Sequence, residues 1–113
     1  MTARYASTAD LVLPERLDRT TVGDLREAVA LAVTSGPGPD VVLDVSYVHV
    51  VDNVGLGLLL TAHRNCQSAG RRLVLAGPSP RLLRLLAVTR LHRVLHLDRP
   101  AGRRETYEAD ASA

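Results

Sequence analysis

At 113 residues and 46% hydrophobic content, the chain has room for one domain with one core and not for two. The net charge of +2 conceals an asymmetry: five Arg face eight Asp or Glu over residues 1–70, nine Arg face Asp98 alone over 71–104, and three acids follow over 105–113. A lone Cys66 forms no internal disulfide, four histidines between positions 49 and 96 make no Cys/His zinc pattern, and with neither Phe nor Trp a base-stacking nucleic-acid surface is poorly supplied. The Arg-rich last third therefore reads first as a solvated face and next as a surface for an acidic protein partner.

In chain order, "ADLVLP" is a short strand ended by Pro14. "TTVGDLREAVALAVTSG" follows with Val22, Leu25, Val29 and Val33 at helical spacing, Thr20 or Thr21 as cap and Gly36 as terminator, which predicts a helix over about 21–35. After the "PGPD" turn, "VVLDV" is a compact β-branched strand in which Asp44 is expected to face a turn or a sheet edge. "YVHVV" leads to Asp52 at an N-cap position, and a second helix over 53–69 stops at Gly70. "RRLVLAG" is the next strand, Ser79 caps and Pro80 opens a third helix over 79–87, and "RVLHL" at 93–97 is the last strand. Residues 101–113 read as a tail or a short terminal helix.

Strands alternating with helices at this spacing imply an α/β domain: a mixed sheet of four to five strands carrying three to four helices. The default place for a ligand or partner in such a fold is a strand-to-helix turn, and Asp52-Asn53 is delivered to one. On the second helix, Leu56, Leu59, Leu60, His63 and Cys66 follow one stripe, while Val54, Gly57, Leu58, Thr61, Asn65 and Ser68 lie on the other, so Val54 and Leu58 are expected to be exposed apolar residues. Whether Val54 instead packs inward against its turn stays open from sequence. No G-x-S-x-G, Walker-type or G-x-G-x-x-G pattern is present, and His92 and His96 lack a companion ligand at metal spacing. A non-enzyme without metal or cofactor is the expectation.

Three spaced segments, "ERLD" at 15–18, "VVLDVSYVHVVDNVGLGLLL" at 41–60 and "AGRRLVLAGPSPRLLRLLAVTRLHRVL" at 69–95, together resemble the anti-sigma factor antagonists of the STAS domain family, a likeness that covers about residues 8–100 and implies one domain over 1–113 with its core there. Asp52, Gly55, Leu56 and Gly57 fall on that family's D-x-x-G-L-G, Asp18 on the aspartate of its G-E-L-D, and Thr89-Arg90-Leu91 where S-G-L is common. The departures are Asn53 and Val54 in place of two serines, the second of which accepts phosphate from the anti-sigma factor's own kinase activity in phosphorylated members, and Arg90 in place of a glycine.

The resemblance implies a STAS-like fold and a protein-binding regulator that sequesters an anti-sigma factor of the kinase-like ATPase type to free a sigma factor. Its partner-binding residues would be Asp18, Asp52, Asn53, Val54, Gly55, Leu58, Thr61, Thr89 and Arg90. Phosphate adds about two negative charges and would eject a partner from an apolar interface. Val54 has no hydroxyl, so the usual switch is not expected to operate, and Thr61 is the nearest hydroxyl on that face. An accessory subunit of a lipid transporter complex and a small-ligand or nucleotide sensor are the alternative functions. "MTARYASTAD" lacks the apolar run of a secretion signal and no stretch is long enough to span a bilayer, from which a cytoplasmic bacterial protein with neither specific nucleic-acid binding nor membrane insertion is expected.

Overall fold

The computed structural model describes residues 9–36 and 38–98, so the expected tail or helix at 101–113 lies outside the described residues. The described residues form six strands and three α-helices: β1 (Leu11–Val12), β2 (Arg16–Leu17), α1 (Val22–Thr34), β3 (Asp40–Asp44), β4 (Val50–Val51), α2 (Asn53–Ser68), β5 (Arg72–Ala76), α3 (Pro80–Val88) and β6 (His96–Asp98). The main sheet has the order β1-β3-β5-β6, and β2 and β4 form a small second pair. The α/β class and the three helices agree with the sequence reading. Every strand pair among the described residues is parallel, because each connection between paired strands is a helical crossover.

The β3 strand lies between β1 and β5, so both of its edges are paired; Val41 and Leu43 on one face are fully buried, while Val42 on the other is partly exposed. For Asp44, the expected turn-facing placement holds and the edge placement does not. Its carboxylate does face the following turn, accepting from the Ser46 amide at 2.9 Å, but it stands on an interior strand, is 1% exposed, and lies at no edge.

Helix ends follow local chemistry. Asp52 and Ser79 cap α2 and α3 by accepting from the amides of Gly55 (2.9 Å) and Leu82 (3.1 Å). Gly36 and Gly70 follow the C-caps of α1 and α2 with φ of 78° and 71°. Thr21 is at the N-cap of α1, yet its hydroxyl turns back to donate to the Arg16 and Asp18 carbonyls and accept from the Asp18 amide.

The last strand is shifted from its expected place. Arg90 has φ 63° and leads into a 3-10 turn over Leu91–Arg93, in which the amides of Val94 and Leu95 bond back to the Leu91 carbonyl. Pairing with β5 starts only at His96, opposite Val74. Residues 93–95 are thus committed to a turn, and the sequence window 93–97 is corrected to 96–98.

Arg71 ties the crossover together. Its guanidinium donates to the carbonyls of Ala32, Val33 and Ser35 at the C-terminal end of α1, and to those of Gly38 and Asp40 at the start of β3. Arg72 forms a forked pair with Asp40 at 3.0 and 3.2 Å. Two arginines of the basic third are therefore structural, whereas Arg81, Arg84, Arg90 and Arg93 are exposed, as expected from the cost of burying guanidinium.

Candidate functional site

Two strand-to-helix connections meet where β2 and β4 pair, with Leu17 opposite Val51. One is the loop Asp18–Thr21 entering α1, and the other is Asp52 entering α2. The sequence marked "ERLD" only as a motif, and the structure makes Arg16–Leu17 a strand whose partner is the end of the "YVHVV" run. That pairing brings Asp18 beside Asp52.

Asp52 holds both connections. One carboxylate oxygen caps α2 through the Gly55 amide, and the other accepts from the Arg19 amide at 3.1 Å, with the Arg19 side chain 3.8 Å away in an exposed ion pair. The Gly55 amide, assisted by those of Arg19 and Val54, holds the Asp52 carboxyl below its ordinary range against partial burial and the Asp18 charge. Asp18 is 4% exposed. It accepts from the Thr20 hydroxyl at 2.6 Å and the Thr20 amide at 3.0 Å, and pairs with Arg16 at 2.7 Å. The Thr20 hydroxyl is the main cause that lowers its titration, opposed by burial and aided by the Thr20 amide and Arg16.

Gly55 seats the helix. It is buried against the Leu17 backbone at a distance that leaves no room for a side chain. With that end fixed, Asn53 and Val54 are presented to solvent, Val54 with 39% of its surface exposed. The open question about its side chain is thereby answered: it faces outward, on the first turn of α2.

Leu58 corrects the expected pair of exposed apolar residues, since it is 6% exposed. Single-helix periodicity places it opposite the core stripe, but α1 packs against α2, and Leu58 and Ala62 are buried beside Val29 of α1 where the two helices meet. Between the two helices lies a groove of about 590 Å³, bordered by Arg26, Glu27 and Ala30 of α1 and by Val54, Leu58 and Thr61 of α2. Thr61 is exposed on its rim. The α1 contribution was missed from sequence because which face of one helix meets another is a tertiary fact. Arg19 was missed because its contact with Asp52 spans 33 positions.

The remaining expected contacts are not joined to this turn. Thr89 hydrogen-bonds the Leu85 and Leu86 carbonyls at the end of its own helix, and the Arg90 amide bonds the Ala87 carbonyl. Cys66 is fully buried, and burial pushes its thiol up against the opposing Arg71 charge, as befits a packing residue. His63 is half-buried, at the core boundary. Among the described residues, no group of three or more His, Cys, Asp or Glu is arranged to hold a metal, and no helix is long and apolar enough to cross a membrane.

A family model described as "Mlab, STAS domain" matches residues 1–97. No curated protein matches the chain significantly. Among solved structures, the chain is similar to an anti-sigma-factor antagonist (STAS) domain protein from Planctomyces limnophilus, with a TM-score of 0.70 and 20% identity over 88% of this chain and 89% of that one. It is also similar to the anti-sigma factor antagonist SpoIIAA in its unphosphorylated form, with a TM-score of 0.59 and 19% identity over 94% of each chain. The phosphorylated form of SpoIIAA, a Bacillus cell fate determinant, gives 0.60 and 19% over 90% and 93%. At these identities the likeness concerns the fold.

Proposed function

The chain belongs to the STAS-domain family, and from that premise we propose that it is a non-enzymatic antagonist that captures an anti-sigma factor of the kinase-like ATPase type and so frees a sigma factor in the cytoplasm. Val54 carries this reading. An exposed aliphatic side chain stands on the first turn of a rigidly capped helix, at the rim of a groove, where the family places its phosphate acceptor. Valine offers no oxygen to phosphorylate, so the surface stays apolar in the presence of ATP and the antagonist is permanently competent. Asp18 and Asp52 serve by holding the two loops in place, while Asn53, Val54 and Thr61 make the contacts.

The test is a competition. A sigma–anti-sigma complex purified from the native cell, mixed with this protein, should release the sigma factor equally with and without ATP. Release without ATP that is abolished by ATP would refute permanent competence, and no release under either condition would refute the antagonist reading.

The same valine favours a second reading, an accessory subunit of a lipid transporter complex docked on its ATPase, because a surface that is never switched also suits a permanent subunit. Co-purification with a transport ATPase, together with an undisturbed sigma–anti-sigma complex, would select it.

A further inference from the structure

A second groove, of about 470 Å³, lies between the β4 segment and α3 and shares no lining residue with the groove beside Val54. On α3 its wall is the stripe Arg81, Arg84, Leu85 and Val88, which recurs at helical spacing and lies beside the core stripe Leu82 and Leu86. Across from it stand His49, Val50 and Val51. Val88 is 78% exposed and Val50 36% exposed, so the floor includes large apolar groups facing water.

The charge around this floor has one sign. No carboxylate lines the groove, and neither Arg81 nor Arg84 makes an ion pair among the described residues. The first groove differs, since Arg26 and Glu27 both border it. Two uncompensated guanidinium groups one turn apart on α3, with Val88 a turn beyond them and Val50 across the groove, fit a ligand with carboxylates beside an aliphatic anchor.

The geometry points to this α3–β4 groove as a docking site for an acidic, leucine- or valine-anchored segment of a protein partner, distinct from the Val54 surface. The aliphatic anchor sits between Val50, Leu85 and Val88, and carboxylates next to it on the side toward the start of α3 meet Arg81 and Arg84. Duplex nucleic acid is a poorer fit, because two arginines offer few phosphate contacts and the valine and leucine surface beside them has no counterpart on a phosphate backbone.

The probe is a synthetic peptide with one central leucine between two pairs of glutamates, titrated into the ¹⁵N-labelled full chain. Its controls are a glutamate-only peptide, a short DNA duplex and vesicles containing phosphatidylglycerol. The leucine peptide should shift the amides of Val50, Val51, Leu85 and Val88 and bind at least tenfold more tightly than the glutamate-only peptide. Arg81→Glu with Arg84→Glu should abolish binding, and Val88→Ser should weaken it severalfold, each with an unchanged circular dichroism spectrum. Val54→Asp should leave peptide binding intact even though it impairs the antagonist surface, which separates the two proposals. Equal affinity for both peptides, preferential binding of duplex or vesicles, or shifts confined to the Val54 groove would overturn the assignment.

Discussion

Gly55 packs directly on the backbone of Leu17. A Cβ at position 55 would overlap the Leu17 carbonyl oxygen and come within 2.7 Å of its carbon. This contact fixes the start of α2 against the end of β2, and therefore fixes where Asn53 and Val54 stand. Gly55→Ala must push helix and strand apart. We expect a loss of about 2 kcal/mol or more in urea unfolding, from overpacking against a backbone that cannot rotate away. Gly57→Ala is the contrast, because its Cβ would meet nothing within 4 Å. That variant should gain about 0.5–1 kcal/mol from reduced backbone freedom in a helix.

Arg90 supplies the next prediction. It follows the C-cap of α3 with φ 63°, a left-handed conformation that glycine adopts without steric cost and arginine does not. The family's glycine at this position has that physical reason, and arginine retains the fold at some expense. Arg90→Gly should raise stability by about 0.5–1 kcal/mol, the relief of backbone strain exceeding the added freedom of the unfolded chain. An unchanged or lowered unfolding midpoint would show that the arginine side chain contributes a compensating interaction.

Arg71 makes the opposite prediction. Its guanidinium serves five carbonyl oxygens across α1 and the start of β3. Arg71→Ala should cost about 1–3 kcal/mol, since charged hydrogen bonds are lost but water reaches part of the site. Arg71→Lys should recover less than half of that, because an ammonium cannot reproduce the planar fork. Full recovery by lysine would mean that charge at the end of α1, and not geometry, is what matters.

Acid should loosen the connections that Asp18 and Asp52 hold. Asp52 and Asp18 both titrate below their ordinary value of 3.8 in the folded protein. The unfolded chain then binds more protons than the folded one between the folded and ordinary values, so stability falls as pH drops through about 4 and below. Asp52→Asn keeps a capping oxygen but removes one of these protons, and the slope of stability against pH below about 4 should become shallower. An identical acid limb in wild type and Asp52→Asn would assign the effect elsewhere.

The legible parts of the molecule were those written in short-range chemistry. The caps at Asp52 and Ser79, the stops at Gly36 and Gly70, and the three helices follow from residues within one turn of each other. What failed depended on distant neighbours. Leu58 lies opposite the α2 core stripe in periodicity alone and is buried by α1, and for Asp44 the turn-facing placement holds while the edge placement gives way, because β3 lies inside the sheet. The β2–β4 pair was invisible because two-residue strands carry no period. The candidate site was half legible: the motif located Asp18, Asp52 and Gly55, but the groove also needs Arg26, Glu27 and Ala30, which no pattern in α1 sets apart.

Val54 decides the functional reading. Val54→Ser places a hydroxyl on an exposed first helical turn, and incubation with the cognate kinase-like partner and ATP should phosphorylate that serine while leaving wild type unmodified, as read by phosphopeptide mapping. Phosphate there would stand at the N-terminus of α2, where the dipole offsets its repulsion by the Asp52 cap, but it would have to be desolvated in an apolar interface, so it should destabilise the complex more than the fold. Val54→Asp imitates part of that charge and should weaken partner binding by about 2–5 kcal/mol where the side chain is desolvated in the complex. Its folding stability should change little, because an acidic side chain in the first turn of a helix is favoured by the dipole. Calorimetric titration of the partner against both variants, with thermal unfolding alongside, separates the two effects. Unchanged affinity for Val54→Asp in a folded protein would remove this surface from the interface.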